Sequence, residues 1–274
     1  MIENARGCIE YDESGDGPTV VLVPGSCSTG AAWRPVISGL DGLHCVTTSL
    51  LGYGATEERR TILDTRISHE AEILESVIRR AGRPVHLVGH SFGGMVALAV
   101  ALRDRVPLTS LTILEAPAAE ILQHMGELQH YRAFREMADI YFDAFHSGEI
   151  TAIERMVDFY GGAGTFAAWP QRVRNYAIET TPVNILDWAS GHGFPLTPAL
   201  LAAIRLPTLV LWGGKSHPAV QRANELLGEC TRASTIVMAD AAHFMISTHA
   251  SEVARVIACH VTRAESMSMS EASA

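Results

Sequence analysis

Val85-His86-Leu87-Val88-Gly89-His90-Ser91-Phe92-Gly93-Gly94 is the stretch on which the fold turns. A short apolar run reaches Gly89-His90-Ser91-Phe92-Gly93, a G-x-S-x-G sequence, and passes into Gly93 to Arg103 (GGMVALAVALR), which reads as a buried helix. A serine between such a strand and such a helix must occupy a tight, strained turn, and small residues on either side let the backbone double back. The turn lifts the hydroxyl clear of the sheet and points the N-terminus of the next helix at the reacting centre. Bare G-x-S-x-G matches arise by chance, and the competing reading is a serine in a structural turn. The strand before and the Ala/Val/Leu helix after supply the context the motif needs, so Ser91 is the candidate nucleophile.

Outward from this point, short apolar runs alternate with helix-like stretches. Thr19 to Val23 (TVVLV), His44 to Leu50 (HCVTTSL), Val85 to Val88 and Leu111 to Leu114 (LTIL) read as strands. Ile62 to Gly82 carries helical spacing and ends at a glycine. The alternation predicts right-handed crossovers and an α/β fold with a mostly parallel central sheet flanked by helices. From Pro117 to about Ala202 the pattern changes to helical, aromatic-rich sequence without a convincing strand. Alternation resumes with Thr208 to Trp212, a helix over Ala219 to Leu227, Ser234 to Met238, and a last helix from about Ser251 to Val261. The expected organisation is a core from residues 1–116 and 203–263, an inserted helical cap at 117–202, and a low-complexity tail at 264–274 that is disordered.

Composition narrows the function. With 274 residues, 47% hydrophobic and 19% charged, the chain can bury a large core and is too apolar to be disordered. The net charge is −9, only Lys215 among the basic residues is a lysine, and no basic cluster occurs. Nucleic acid and membrane surfaces are therefore not expected as partners, whereas a small molecule is. The run Met95 to Leu102 is too short to span a bilayer, and the polar N-terminus carries no signal-peptide pattern. Five cysteines form no CxxC pair, which suggests reduced thiols in a cytoplasm. The twelve histidines show no HExxH, and the one HxxxH, His86 to His90, spans a strand and turn, so no metal or other cofactor is expected. Oligomeric state leaves no mark in the sequence.

The residues at the elbow resemble the α/β-hydrolase superfamily over nearly the whole chain, from about Gly7 to Arg263. Val21-Leu22-Val23-Pro24-Gly25-Ser26 resembles the family's strand followed by His-Gly-x, with Pro24 in place of the usual His. Leu51-Gly52-Tyr53-Gly54 resembles its next loop, with Ser49 where an Asp is often found, and Ala241-Ala242-His243-Phe244 resembles the loop of the catalytic histidine. A serine hydroxyl needs a base within hydrogen-bond reach, and the base needs an orienting carboxylate. His243 is the expected base. The resemblance would put the acid after Thr208–Trp212, but that slot holds Ser216, and no carboxylate follows until Glu225 within a helix. Some superfamily members, lactone hydrolases among them, place a Glu at the end of the strand after the nucleophile helix. Glu115 stands at that point, ending an apolar run where an idle carboxylate would be costly. It is the expected acid, with Asp240, three residues before His243, as the runner-up and helix capping as the competing role.

The resemblance further implies an oxyanion hole from the backbone N–H groups of Ser26 and Phe92. Cys27 lies nearby but has no assigned base. Within the cap, His124, His130, Tyr131, Trp169, Trp188 and His192 are polar-tipped candidates for substrate contact. The implied activity is that of a cofactor-independent serine hydrolase acting on a small or medium apolar carboxylic ester or lactone through an acyl-enzyme. Ser91 argues against dehalogenase or epoxide hydrolase chemistry, which in this superfamily uses an Asp nucleophile. Carbon–carbon bond hydrolysis, a non-hydrolytic lyase on the same triad, and a ligand-binding protein of the same fold stay open.

Overall fold

A computed structural model describes residues 1–4 and 7–272. The chain opens with an antiparallel ribbon of β1 (Ile2–Asn4) and β2 (Gly7–Ile9). The strands β3 (Asp12–Ser14), β4 (Thr19–Val23), β5 (His44–Thr47), β6 (Val85–His90), β7 (Leu108–Leu114), β8 (Thr208–Gly213) and β9 (Ser234–Met238) form one sheet in the order β3-β5-β4-β6-β7-β8-β9. Only the pairing of β3 with β5 is antiparallel. β4, β6 and β8 are buried along their whole length, as strands covered on both faces must be.

Helices cover both faces. α1 (Arg34–Ile37), α12 (Met245–Thr248) and α13 (Ala250–Ala272) pack on one side, where Trp33, Val36, Met245 and Ile257 meet Leu22, Val88 and Leu211. α2 (Ser68–Ala81), α3 (Phe92–Arg103) and α11 (Pro218–Thr231) pack on the other, where Leu74, Leu98 and Leu226 meet Val21, Leu87 and Val210. Between β7 and β8 run α4 (Ala119–His124), α5 (Leu128–His146), α6 (Ile153–Gly161), α7 (Thr165–Ala168), α8 (Gln171–Glu179), α9 (Thr181–His192) and α10 (Pro198–Leu201). Phe134, Tyr141, Tyr160 and Phe166 bury their rings within this helical segment and against its neighbours.

The sheet order fixes where chemistry can occur. From β4 the chain runs to β5 on one side, then crosses to β6 on the other, so the strand order reverses at β4. Parallel sheets bind ligands at the carboxyl ends beside such a reversal. The register pairs Val23 with Gly89 and His90 with Leu114, which sets the loops after β4, β6 and β7 side by side. α3 can start there only because of its glycine. A Cβ on Gly93 would lie 2.7 Å from the Val23 carbonyl oxygen and closer still to that of Pro24.

The strands expected from sequence are all present, but several boundaries move. α2 begins at Ser68, not Ile62, because Ile62 and Leu63 sit exposed in a turn closed by the Thr61–Asp64 bridge. β5 stops at Thr47, short of Leu50, and β1 to β3 were not foreseen in the polar N-terminus. The segment from Ala264, expected to be a disordered tail, continues α13 to Ala272. Ala264 is buried there, and the Glu265 carboxylate pairs with His86 Nε2 at 3.1 Å, which anchors the extra turns. Ser273 and Ala274, the end of that expected tail, lie outside the described residues.

Gly93→Ala should therefore lower the unfolding free energy by about 1–3 kcal/mol, since backbone rather than a pliable side chain must move. Gly191→Ala in α9, where a Cβ meets nothing within 4 Å, should leave it unchanged or raise it by up to about 1 kcal/mol. Denaturant unfolding of the two variants checks the contrast, and equal stabilities would refute the close approach.

Candidate active site

Ser91, between β6 and α3, has φ 55° and ψ −128°, a conformation outside the ordinary regions for a side-chain-bearing residue. Its environment holds it there. The Ser91 N–H donates to the Leu114 carbonyl at 2.9 Å, and its carbonyl accepts the Gly94 N–H at 2.8 Å. The Oγ lies 2.9 Å from His243 Nε2, and His243 Nδ1 lies 3.1 Å from Glu115 Oε1. Glu115 has no exposed surface. Its Oε2 accepts the Gly213 N–H at 2.9 Å, and its own N–H donates to Leu211 at 2.8 Å. It too carries a positive φ, 51°. Three residues from three loops thus form one line: carboxylate to Nδ1, Nε2 to hydroxyl. A carboxylate on Nδ1 fixes the proton there and leaves the Nε2 lone pair toward the serine.

Asp240 does not compete for this place. Its side chain is 85% exposed and pairs with Lys215 Nζ at 3.0 Å. At the usual acid slot, the Ser216 hydroxyl is buried, and Gly214 and Lys215 donate to the carbonyls of Met238 and Ala241, tying the two loops together. His90, read in the sequence only as part of the elbow, has a positioning role. Its Nε2–H donates to the His243 carbonyl at 2.8 Å, because a carbonyl can only accept, and burial, reinforced by the nearby His243, holds its pKa down at about 3. His86 turns elsewhere, to Ser110 Oγ at 2.9 Å, so the His86–His90 pair does not converge. Among the described residues, no group of three or more His, Cys, Asp or Glu is placed to hold a metal ion.

Gly25 lets the loop after β4 run against the serine: a Cβ there would lie 2.8 Å from Ser91 Cβ. Ser26 and Phe92 line the same cavity as Ser91. Phe92 is the first residue of α3, so its N–H has no acceptor within the helix. Cys27 is not an activated thiol, because burial pushes its pKa up to about 12.

The Ser26 side chain meets a network that was not visible in the sequence. Its Oγ donates to Asp187 Oδ2 at 2.6 Å, as does the Tyr53 hydroxyl, also at 2.6 Å. Arg60 Nη1 donates to Asp187 Oδ1 at 2.7 Å and lies 3.2 Å from Glu70 Oε1, while its Nη2 donates to Glu58 at 2.7 Å. Asp187 belongs to α9, Glu70 to α2 and Arg60 to the connection between β5 and α2, so the cluster ties the helical segment to the body of the fold. Three carboxylates surround one buried guanidinium. Burial pushes Asp187 above the ordinary carboxylate range against the pull of Arg60, and burial likewise pushes Glu70 up to about 8.

A cavity of about 770 Å³ opens above Ser91, within the range of small-molecule sites. Of the contacts expected from the sequence, Trp169, Trp188 and His192 line it, while His124, His130 and Tyr131 do not. Tyr131 instead faces Glu120. Tyr160, Asn184 and Asp187 line the cavity without having been singled out, since no local pattern separates them from ordinary helix residues.

Residues 20–256 match the model of the alpha/beta hydrolase family. The haloalkane dehalogenase 2 of Mycobacterium tuberculosis (strain ATCC 25618 / H37Rv) is 31% identical over 108 residues, 38% of this chain and 37% of the dehalogenase. The chain thus spans little more than a third of that relative's length. Lipase 3 of Moraxella sp. (strain TA144) is 24% identical over 243 residues, 83% of this chain and 72% of the lipase. In fold, the chain is similar to an esterase from Exiguobacterium antarcticum, with a TM-score of 0.76, 17% identity, and coverage of 95% of this chain and 98% of the esterase.

Glu70 yields a pH signature. Its folded pKa lies above that of an unfolded glutamate, so its contribution to stability is complete below the unfolded value and is lost as pH rises through about 8. The melting temperature of the wild type, measured against Glu70→Gln from pH 5 to 9, should fall progressively relative to the variant. A constant difference across that window would count against the assignment.

Proposed function

Because the chain belongs to the alpha/beta hydrolase family, we propose that it is a serine hydrolase cleaving a small or medium apolar carboxylic ester or lactone. The observation that carries this reading is the unbroken line Glu115–His243–Ser91, with spacings of 3.1 and 2.9 Å, at the floor of the cavity. In the proposed mechanism, Ser91 Oγ attacks the carbonyl carbon while its proton passes to His243 Nε2. Glu115 holds the imidazole's tautomer and stabilises the imidazolium. The N–H groups of Ser26 and Phe92 receive the oxyanion. Collapse breaks the ester C–O bond, His243 returns the proton to the leaving alcohol, and a water activated by His243 then hydrolyses the acyl-serine.

Residues 117–202 act as the cap in this reading, with Tyr160, Trp169 and Trp188 giving the cavity an apolar, water-excluding wall. A dehalogenase reading, drawn from one relative's name, fits poorly with a serine at the elbow. A pure binder would have no use for a serine lined up with a histidine base. A lyase on the same triad would form product without a trapped acyl-enzyme, which the first experiment detects.

A fluorophosphonate should label Ser91 in the folded protein and fail to label Ser91→Ala. A series of p-nitrophenyl esters of increasing chain length should be hydrolysed with an optimum at short or medium chains. An unreactive Ser91 would overturn the hydrolase reading. Glu115→Gln should retain the native circular dichroism and lose roughly 10²- to 10⁴-fold in kcat. Near-normal kcat in that variant would remove Glu115 from the triad.

A further inference from the structure

The loop after β4 carries backbone strain at the point where the proposed mechanism needs a backbone donor. Cys27, the residue after Ser26, has φ 55°, a left-handed conformation that a side-chain-bearing residue keeps only where its surroundings hold it. Gly25, the residue before, lies so close to the nucleophile that a Cβ there would be 2.8 Å from Ser91 Cβ. Between the two, the Ser26 N–H meets no acceptor among the described residues. A peptide donor left open beside the nucleophile suits a developing oxyanion, and it is worth most when it is aimed before the reaction starts.

What holds this loop is one side chain of the helical insertion. Ser26 Oγ donates to Asp187 Oδ2 at 2.6 Å. The Tyr53 hydroxyl donates to the same oxygen at 2.6 Å, and the Tyr53 oxygen in turn receives a backbone hydrogen bond from Cys27. Two successive residues of the loop are thus tied to one carboxylate oxygen, Ser26 directly and Cys27 through Tyr53. The other oxygen takes Arg60 Nη1 at 2.7 Å, so the carboxylate cannot turn without breaking an ion pair between buried groups. A conformation such as that of Cys27 needs restraint of this kind, because a free loop would relax toward the ordinary regions.

We propose that Asp187 is a positioning residue for the oxyanion hole: through the Ser26 hydroxyl and through Tyr53 it fixes the Ser26 peptide with its N–H toward the reacting carbonyl oxygen. This rests on the serine-hydrolase reading and on Ser26 as an oxyanion donor. The helical insertion then acts on the chemical step as well as on the shape of the cavity. A donor that loses its aim weakens the transition state while leaving substrate binding nearly as it was, so the loss falls on kcat and not on KM.

The double variant Ser26→Ala/Tyr53→Phe removes both tethers and keeps the Ser26 N–H and the Asp187–Arg60 pair. On a p-nitrophenyl ester its kcat should fall roughly 10- to 100-fold with KM little changed. Asp187→Asn should lose kcat in the same way, since one amide cannot accept from Ser26 and Tyr53 and also face Arg60 without setting donor against donor. The readout that separates aim from general loosening is a pair of inhibitors. A hexyl trifluoromethyl ketone adds the Ser91 hydroxyl to form a hemiketal oxyanion, and its affinity should fall by the same factor as kcat/KM. The corresponding alcohol forms no oxyanion and should bind the variants as it binds the wild type. Wild-type kcat in the double variant, or an equal loss of affinity for ketone and alcohol, would overturn the proposal. Should Asp187→Asn fail to fold, the double variant decides alone. Failure of the hydrolase reading looks different: the wild type itself turns over no ester and Ser91 is not labelled, and the positioning role falls with it.

Discussion

Glu115 places a carboxyl group with no exposed surface at the end of β7, and the neighbouring elements are arranged around satisfying it. A buried carboxylate without partners is among the costlier defects a core can hold. One oxygen is met by the Gly213 N–H, so β8 must end level with β7 and present a peptide hydrogen there. The other is met by His243, so the loop after β9 must cross back over the sheet. His90 holds that loop by donating to the His243 carbonyl, and His90 is itself the residue before the serine. The requirement of one side chain thus fixes the ends of β6, β7 and β8 and the loop after β9 relative to one another. Positive φ at both Ser91 and Glu115 shows that the backbone accepts strain to meet it.

The second organising feature is the buried cluster around Arg60. Replacing such a cluster by apolar side chains often costs nothing in stability, whereas removing one member leaves an unpaired charge inside. Its value here lies in register. Asp187 can reach Ser26, Tyr53 and Arg60 together only in one placement of α9 over the body of the fold.

Legibility in the sequence followed the range over which each feature is encoded. The β strands of the main sheet and Ser91 were readable because period, turn residues and the elbow motif are local. The place of His243 was readable from its loop, and that of Glu115 from a gap: Ser216 stands where a carboxylate was expected, and the end of β7 carries one. The Asp187 network left no such trace. Its partners lie far apart in the chain, and Arg60, Glu58 and Glu70 look like the solvated face of an ordinary helix approach. The continuation of α13 beyond Ala264 was hidden for the same reason, since a Ser/Met/Glu-rich composition says nothing of the β6 histidine that Glu265 meets on the sheet.

Ser26 belongs to two assemblies at once. Its peptide lies on the loop that runs against Ser91, and its hydroxyl is held by a carboxylate from a helix inserted more than a hundred residues later. The helical insertion is therefore not a detachable module. A replacement taken from a relative, however well it filled the space above the serine, would leave Arg60 and Tyr53 facing each other across an absent acceptor unless it brought its own carboxylate to the position of Asp187. Diversification of the chamber above the serine is thereby confined to residues that leave this one junction intact.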